Sequence, residues 1–256
     1  YFVGQIGSAS ATGAVGVIFP IMSLMQAVGF MFGHGSGNHM SRALGAGQVD
    51  DAKQMAATGF FSAFLVGLFI MAVGLLIPSQ LCSLLGATET ILPYAVEYLR
   101  YLMPGAPFLV AQFVVNNQLR FQGSAFYGMI GVTVGALLNV LLDPIFIFAL
   151  GMGVSGAALA TSISQIVGFT VLLCMTYRKG NIAIRPKHFT PSFANYKEIF
   201  RGGVPSLARQ ALTSVATICL NTAAGVYGDA AIAAMSIVGR VMLMGNSAVI
   251  GFGQGF

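Results

Sequence analysis

Charge is what this sequence has least of. Of its 256 residues only 7% are Asp, Glu, Lys or Arg, against roughly 25% in an average soluble domain. Hydrophobic residues make up 56%, a balance that excludes a water-soluble surface. The formal net charge of +5 does not point to nucleic acid, because the basic residues gather in loops between apolar stretches. Cysteine is scarce too. Cys82, Cys174 and Cys219 stand singly in or near apolar segments, with neither the paired spacing of a disulfide framework nor a zinc pattern, and read as small packing residues. No basic, apolar leader opens the chain; YFVGQIG reads as the tail of a helix whose start lies upstream. There is no P-loop, no HExxH and no second intramembrane Asp, so ATP hydrolysis, zinc proteolysis and aspartyl proteolysis lack their parts.

What is present is a series of apolar runs long enough to cross a bilayer, about 20 residues each. They fall near 11–37, 55–78, 95–120, 126–150, 154–177, 199–225 and 230–256. None alternates with a two-residue period, which argues against a barrel. The fold class is therefore an all-α polytopic membrane protein. Glycines recur four apart, as Gly29 and Gly33, Gly131 and Gly135, and Gly251 and Gly255, a spacing that lets helices approach closely in lipid.

Basic residues set the orientation. Arg42 and Lys53 lie in the loop 38–54, Arg120 follows the third run, and Arg178, Lys179, Arg185, Lys187, Lys197 and Arg201 lie in 178–201. The alternate loops, near 79–94, 150–154 and 226–229, have no Lys or Arg. The basic loops are thus expected in the cytoplasm, in a multi-pass protein of the inner (cytoplasmic) membrane. The segment 178–198, with Pro186 and Pro191, reads as a cytoplasmic linker between two bundles. A weak repeat supports that division: Gly4 and Gly7 match Gly225 and Gly228, and Phe32-Gly33-His34-Gly35 matches Phe252-Gly253-Gln254-Gly255. The two copies run in the same direction across the membrane. They imply a repeat of about 220 residues and a whole chain near ~440, of which this sequence is a fragment.

One scarcity is more informative than the rest. Between Arg120 and Arg178 there is a single charge, Asp143. A lone carboxylate among apolar residues is costly unless water, a proton or a cation accompanies it. Asn139 lies four residues earlier on the same helix face, and Pro144 follows and frees the carbonyl of Val140. Thr161, Ser162 and Ser164 lie on the next run, and Asn116, Asn117 and Gln118 on the preceding one. Carboxylate, amide and hydroxyl oxygens are what a hard cation prefers; the same group suits a bound proton, or simple packing between helices. Arg209, beside Gln210, lies within about two turns of a cytoplasmic helix start and can snorkel. Arg240 lies nearer mid-span, where an anionic partner or a water-filled cavity is expected.

Two motifs mimic other chemistry. Gly151-Met152-Gly153-Val154-Ser155-Gly156 fits GxGxxG, but as a short outer turn between two membrane runs rather than between a strand and a helix. Gly153-Val154-Ser155-Gly156 resembles an intramembrane serine-protease motif. Its His base is missing, since His34 and His39 lie near a cytoplasmic end and His188 in the linker.

Several runs together resemble the MATE family of multidrug and toxic compound extrusion transporters. They are Asn139-Val-Leu-Leu-Asp143-Pro144-Ile-Phe-Ile-Phe148, Gly153-Val-Ser-Gly-Ala-Ala-Leu-Ala-Thr161, Ser41-Arg42-Ala-Leu-Gly-Ala46 and Gly251-Phe-Gly-Gln-Gly255. Val204-Pro-Ser-Leu-Ala-Arg-Gln210 is similar to its bacterial DinF- and MepA-like branch. The resemblance implies two lobes of six helices in the full chain. Residues 1–177 would be the N-lobe, from the end of helix 1 through helix 6, and 199–256 the start of the C-lobe, with helices 7 and 8. That makes about seven transmembrane helices here, plus the tail of the first. It implies export of cationic, amphipathic drugs against Na+ or H+, in a monomer whose partners are membrane lipid and small molecules. No nucleic acid, structural metal or cofactor is implied beyond the coupling ion, and Asp143 is where a transported Na+ would sit. The coupling residues that match are Asp143, Asn139, Asn116 and Thr161; His34, Arg209, Gln210, Arg240 and Gln254 are assigned to the substrate path. A first-helix Asp of the family would precede Tyr1, and Arg209 and Gln210 stand where some relatives have an acidic residue. The main rival is a lipid-linked oligosaccharide flippase of the same superfamily, whose cavity should carry several cations; an intramembrane enzyme and a channel are weaker alternatives.

Overall fold

The computed structural model describes residues 9–225, with isolated positions at 3, 5, 242, 245, 247, 249 and 251. The chain divides into two compact units, Tyr1–Val204 and Pro205–Phe256. The described elements are helical throughout: α1 (Ala9–Gly45), α2 (Val49–Leu76), α3 (Pro78–Leu84), α4 (Leu92–Leu102), α5 (Ala106–Phe121), α6 (Ala125–Pro144), α7 (Gly153–Thr176) and α8 (Phe193–Gly225). Four stretches are each long and apolar enough to cross a membrane: Gly13–Gly45, Val49–Leu76, Ala125–Ala149 and Gly153–Thr176. Their outward side chains suit lipid: Phe19, Leu65, Phe69, Leu137 and Leu141 are all more than half exposed.

The third expected run, 95–120, is built differently. It is two helices, α4 and α5, joined by a 3-10 turn at Met103–Gly105. Pro104 has no N–H to donate, and the Ala106 N–H turns to the Met103 carbonyl, so the regular ladder is interrupted. A side chain from α7 fills the gap, as the Ser162 hydroxyl donates to the Tyr101 carbonyl at 2.6 Å. α4 is amphipathic. Ala95, Tyr98, Leu99 and Leu102 are buried while Glu97 and Arg100 are exposed. The sixth expected run begins early, since α8 starts at Phe193, inside the segment read as linker. Most of the seventh, 230–256, lies outside the described residues.

α5 is the innermost helix of the first unit and packs against α1, α2, α6 and α7. Its buried face runs from Leu109 through Val110, Val114 and Val115 to Leu119. Lipid is as apolar as this core, so close packing and polar contacts hold the helices together rather than exclusion from water. The glycine pairs allow the approach. A Cβ on Gly29 would lie 2.6 Å from Phe113 Cβ, and one on Gly33 3.2 Å from the Phe113 carbonyl oxygen, which sets α1 on α5. Gly135 and Gly168 face each other across α6 and α7, 3.3 Å from Cβ to Cα. The Gln118 amide donates to Ser36 Oγ and to the Ala56 carbonyl, each at 3.0 Å, and joins α5 to α1 and α2.

The glycine motif of 151–156 is structural. Gly151 and Gly153 have φ of +65° and +58°, which L side chains adopt at a cost. Gly156 lies against the π-helical turn Ile145–Ala149 that continues α6, and a Cβ there would lie 2.7 Å from the Phe146 carbonyl carbon and oxygen.

The chain after α7 is tied down. Ile182 and Ile184 are buried, the Ile182 N–H donates to Gln122 Oε1 at 2.8 Å, and the Tyr177 hydroxyl donates to the Ile184 carbonyl at 3.0 Å. Glu198, ahead of the apolar part of α8, receives Arg42 at 3.0 Å. Its neighbours are His39 at 3.7 Å, itself 2.8 Å from Asp51, and Arg201 at 3.9 Å. The start of α8 closes on α1, with Gly35 against the Ile199 carbonyl and Gly203 against the Met31 carbonyl.

Gly156→Ala should therefore destabilise the full-length protein by about 1–3 kcal/mol, since a backbone carbonyl cannot rotate away as a side chain can; thermal unfolding in detergent checks it. The Arg42 guanidinium holds the Glu198 carboxyl below its ordinary value of 4.5. That stabilisation is complete above the ordinary value and is lost as pH falls through the lowered one. Between about pH 5 and about pH 3 the wild-type melting temperature should fall more steeply than that of Glu198→Gln.

Candidate functional site

Three polar stripes converge in the first unit. On α5, Gln112, Asn116 and Arg120 are four apart; on α6, Asn139 and Asp143; on α7, Thr161 and Gln165, with Ser164 beside them. The four-residue spacing puts each set on one face of its helix. These faces enclose a cavity of about 410 Å³, whose walls include Gln112, Asn116, Arg120, Asn139, Thr161, Ser164 and Gln165, with Met22, Leu109 and Phe113 as apolar lining.

Asn139 is the hub. Its Nδ2 donates to Asp143 Oδ1 and to Thr161 Oγ1, both at 3.4 Å. Bonds this long are weak, so the three side chains are gathered without being locked together. The Thr161 hydroxyl donates its own proton to the Ala157 carbonyl at 2.9 Å, which leaves its oxygen as an acceptor. Asp143 lies one turn beyond the cavity wall, half-buried, at the junction where Pro144 ends α6 and the π-helical turn begins. Asn116 lines the cavity, but its Nδ2 is committed to the Gly128 carbonyl at 2.9 Å.

The structure thus brings Asn116, Asn139 and Thr161 to one cavity and attaches Asp143 through Asn139. His34 is elsewhere on α1: its Nδ1 lies 3.0 Å from the Phe30 carbonyl oxygen, and its ring stacks on Phe30 and meets Phe121 edge-on. Arg209 and Gln210 lie on the part of α8 that belongs to the second unit. Arg240 and Gln254 lie outside the described residues. Ser162, grouped with Thr161 in the sequence, serves the joint between α4 and α5 instead.

Sequence reasoning passed over Gln112, Gln165 and the inward placement of Arg120. Gln112 Oε1, Gln165 Oε1 and Ser164 Oγ are buried and have no hydrogen-bond partner among the described residues. Three unpartnered oxygens on one cavity are costly in a membrane and suit a guest that brings its own donors or charge. Their signal was available: Gln112 precedes Asn116 by four residues, and Gln165 follows Thr161 by four.

A multi-pass helical unit built around a polar cavity is the class that fold and site define. The MatE family model matches residues 1–145, and the chain belongs to the MatE family. The chain is also similar to the multidrug export protein MepA of Staphylococcus haemolyticus (strain JCSC1435), at 30% identity over 256 residues, all of this chain and 57% of that protein. An outward-facing multidrug resistance MATE family transporter of the MOP superfamily superposes with a TM-score of 0.89, 30% identity, 97% of this chain and 56% of that one. An inward-facing one does so with a TM-score of 0.80, 31% identity, 94% of this chain and 56% of that one. The chain spans little more than half the length of the relatives it matches.

Asn116→Ala should lower thermal stability by about 1 kcal/mol, because the Gly128 carbonyl loses its donor. Gln165→Leu, which removes an unpartnered buried oxygen, should leave the melting temperature unchanged or raise it. Unfolding curves of the two variants check the contrast.

Proposed function

We propose that the full-length protein is a secondary active multidrug efflux transporter, an antiporter of cationic, amphipathic compounds against Na+ or H+. The observation that carries this reading is the Asn139–Asp143–Thr161 cluster at the edge of a polar cavity inside a membrane-crossing bundle. Reversing the Asn139 amide would present its oxygen beside the Asp143 carboxylate and the Thr161 acceptor, the oxygen set a hard cation takes. A proton on Asp143 would neutralise the same group. Either event changes the charge beside the cavity from negative to neutral. Coupling follows if the ion binds the inward-open and outward-open states with different affinity. Met22, Leu109 and Phe113 supply an apolar wall that can repack around varied shapes. The protein works without an enzymatic step.

The reading extends to what lies around the site. The protein would sit in the inner membrane as a monomer, with residues 178–198 on the cytoplasmic side and lipid and small molecules as its partners. His34, Arg209, Gln210, Arg240 and Gln254 are proposed for the substrate path. A C-lobe coupling carboxylate near Arg209 and Gln210 is not part of the proposal. A lipid-linked oligosaccharide flippase would need several cations in its cavity; Arg120 is the charged residue in the described lining, which favours efflux.

In cells carrying the full-length protein, Asp143→Asn should reduce ethidium efflux to the level of cells without the transporter while leaving expression intact. Undiminished efflux would remove Asp143 from the coupling role. Efflux under separately imposed Na+ and pH gradients in proteoliposomes should respond to one of them and collapse when that gradient is dissipated.

A further inference from the structure

A second cavity, of about 630 Å³, lies between the α1–α2 turn and the chain that follows α7. Its walls carry Lys53, Arg185, Lys187 and His188, with Asp50 as the acidic member. Lys53 pairs with Asp50 at 2.8 Å. Neither the Arg185 guanidinium nor the Lys187 ammonium has an ion-pair partner among the described residues. Three permanent cations therefore face one carboxylate. At the neighbouring cluster around Glu198 the balance is different, with His39, Arg42 and Arg201 gathered on Glu198 and Asp51.

These cations are not on a loose tail. Arg185 is extended, Pro186 fixes the next step, and Pro186–His188 forms a 3-10 turn closed by the His188 N–H on the Arg185 carbonyl at 3.1 Å. Buried Ile182 and Ile184 anchor the segment on one side. On the other, the Thr58 hydroxyl meets the Thr190 carbonyl at 3.2 Å. Arg185 and Lys187 are exposed and screened by water, and the fixed backbone keeps these like charges together where an anion can complete the set.

The position says which anion. The cavity lies at the turn between two membrane-length apolar helices, where the stretch Gly13–Gly45 ends and Val49–Leu76 begins, on the side of the basic loops. Leu44 and Val49 add an apolar edge beside the charges, and Val49 is 45% exposed. We propose that this cavity binds the phosphate headgroup of an anionic phospholipid in the leaflet next to the basic loops, with Arg185, Lys187 and Lys53 on the phosphate and Leu44 and Val49 along the acyl chains. Arg offers a fork matched to two phosphate oxygens, and the lysines act as point charges. Free phosphate shares the headgroup chemistry but would gain nothing from the apolar edge.

The test is native mass spectrometry of the purified full-length protein titrated with cardiolipin, phosphatidylcholine or inorganic phosphate. Arg185→Gln with Lys187→Gln should weaken cardiolipin binding by roughly tenfold or more. Arg178→Gln with Lys179→Gln removes the same charge from exposed residues outside the cavity lining and should change it by less than about twofold. Asp50→Asn, which removes the internal competitor for Lys53, should tighten binding by about threefold. Equal losses in the two double variants would mean diffuse attraction and overturn the site, as would phosphatidylcholine binding as tightly as cardiolipin. Displacement of cardiolipin by inorganic phosphate at matched concentration would overturn the lipid as occupant. Should the Arg185/Lys187 variant fail to elute as a single species, Asp50→Asn decides alone: binding no tighter than wild type overturns the proposal.

Discussion

In hydrocarbon there is no water to satisfy a polar group, so each one must find its partner inside the protein. That constraint organises the first unit. Where Pro104 interrupts the helical ladder, Ser162 from α7 supplies a hydrogen bond to the Tyr101 carbonyl. Where α1, α2 and α5 meet, Gln118 reaches Ser36 and the Ala56 carbonyl. Asn116 does the same for Gly128 across α5 and α6. Each bond is worth only about 0.6–2 kcal/mol in lipid, but together they select one register among helices whose apolar faces alone would slide. Gln118 Oε1 and His39 Nδ1 are buried without a hydrogen-bond partner among the described residues, and three further exceptions share one place. Gln112, Ser164 and Gln165 keep unpartnered oxygens on a single cavity, so the place where the constraint is relaxed is also the place where a guest can enter.

Close packing supplies the other half of the stability, and glycine makes it possible. The pairs Gly29 with Gly33 and Gly131 with Gly135 carry α1 onto α5 and α6 onto α7. Gly156 lets the start of α7 meet the backbone of the π-helical turn after Pro144. That turn has the proposed coupling carboxylate as its neighbour. Asp143 sits at its entrance, and a helix that departs from regular hydrogen bonding beside a polar group is a recurrent feature of working sites.

The basic segment after α7 joins these themes. Its hydrogen bonds to Gln122 and Thr58, together with the Glu198 cluster, hold it against the helix ends. A segment fixed in that way can present charge to one place rather than spread it. The contrast between the balanced charges around Glu198 and the excess around Arg185 therefore reflects geometry, not composition.

Membrane class, four of the apolar spans, the glycine contacts of α1 and α6, and the grouping of Asn139, Asp143 and Thr161 were legible in the sequence. Each depends on periodicity within one helix or on the mismatch between a charge and its apolar neighbours, and both are local. The split of the third span at Pro104 was less legible, because hydropathy averages over a break that only the Ser162 bond makes affordable. Gln112 and Gln165 left a trace in their four-residue spacing from Asn116 and Thr161, but the assignment of Ser162 to that joint, the absence of His34 from the cavity lining and the inclusion of Arg120 were not legible. They depend on which face of one helix meets which face of another, and on residues far apart in the chain. Sequence by itself determined that this chain spans a membrane around a carboxylate it could not leave alone. Tertiary structure decided which oxygens line the cavity beside that carboxylate and which are used up as helix contacts, because partnership in a low-dielectric interior is settled by distances between helices.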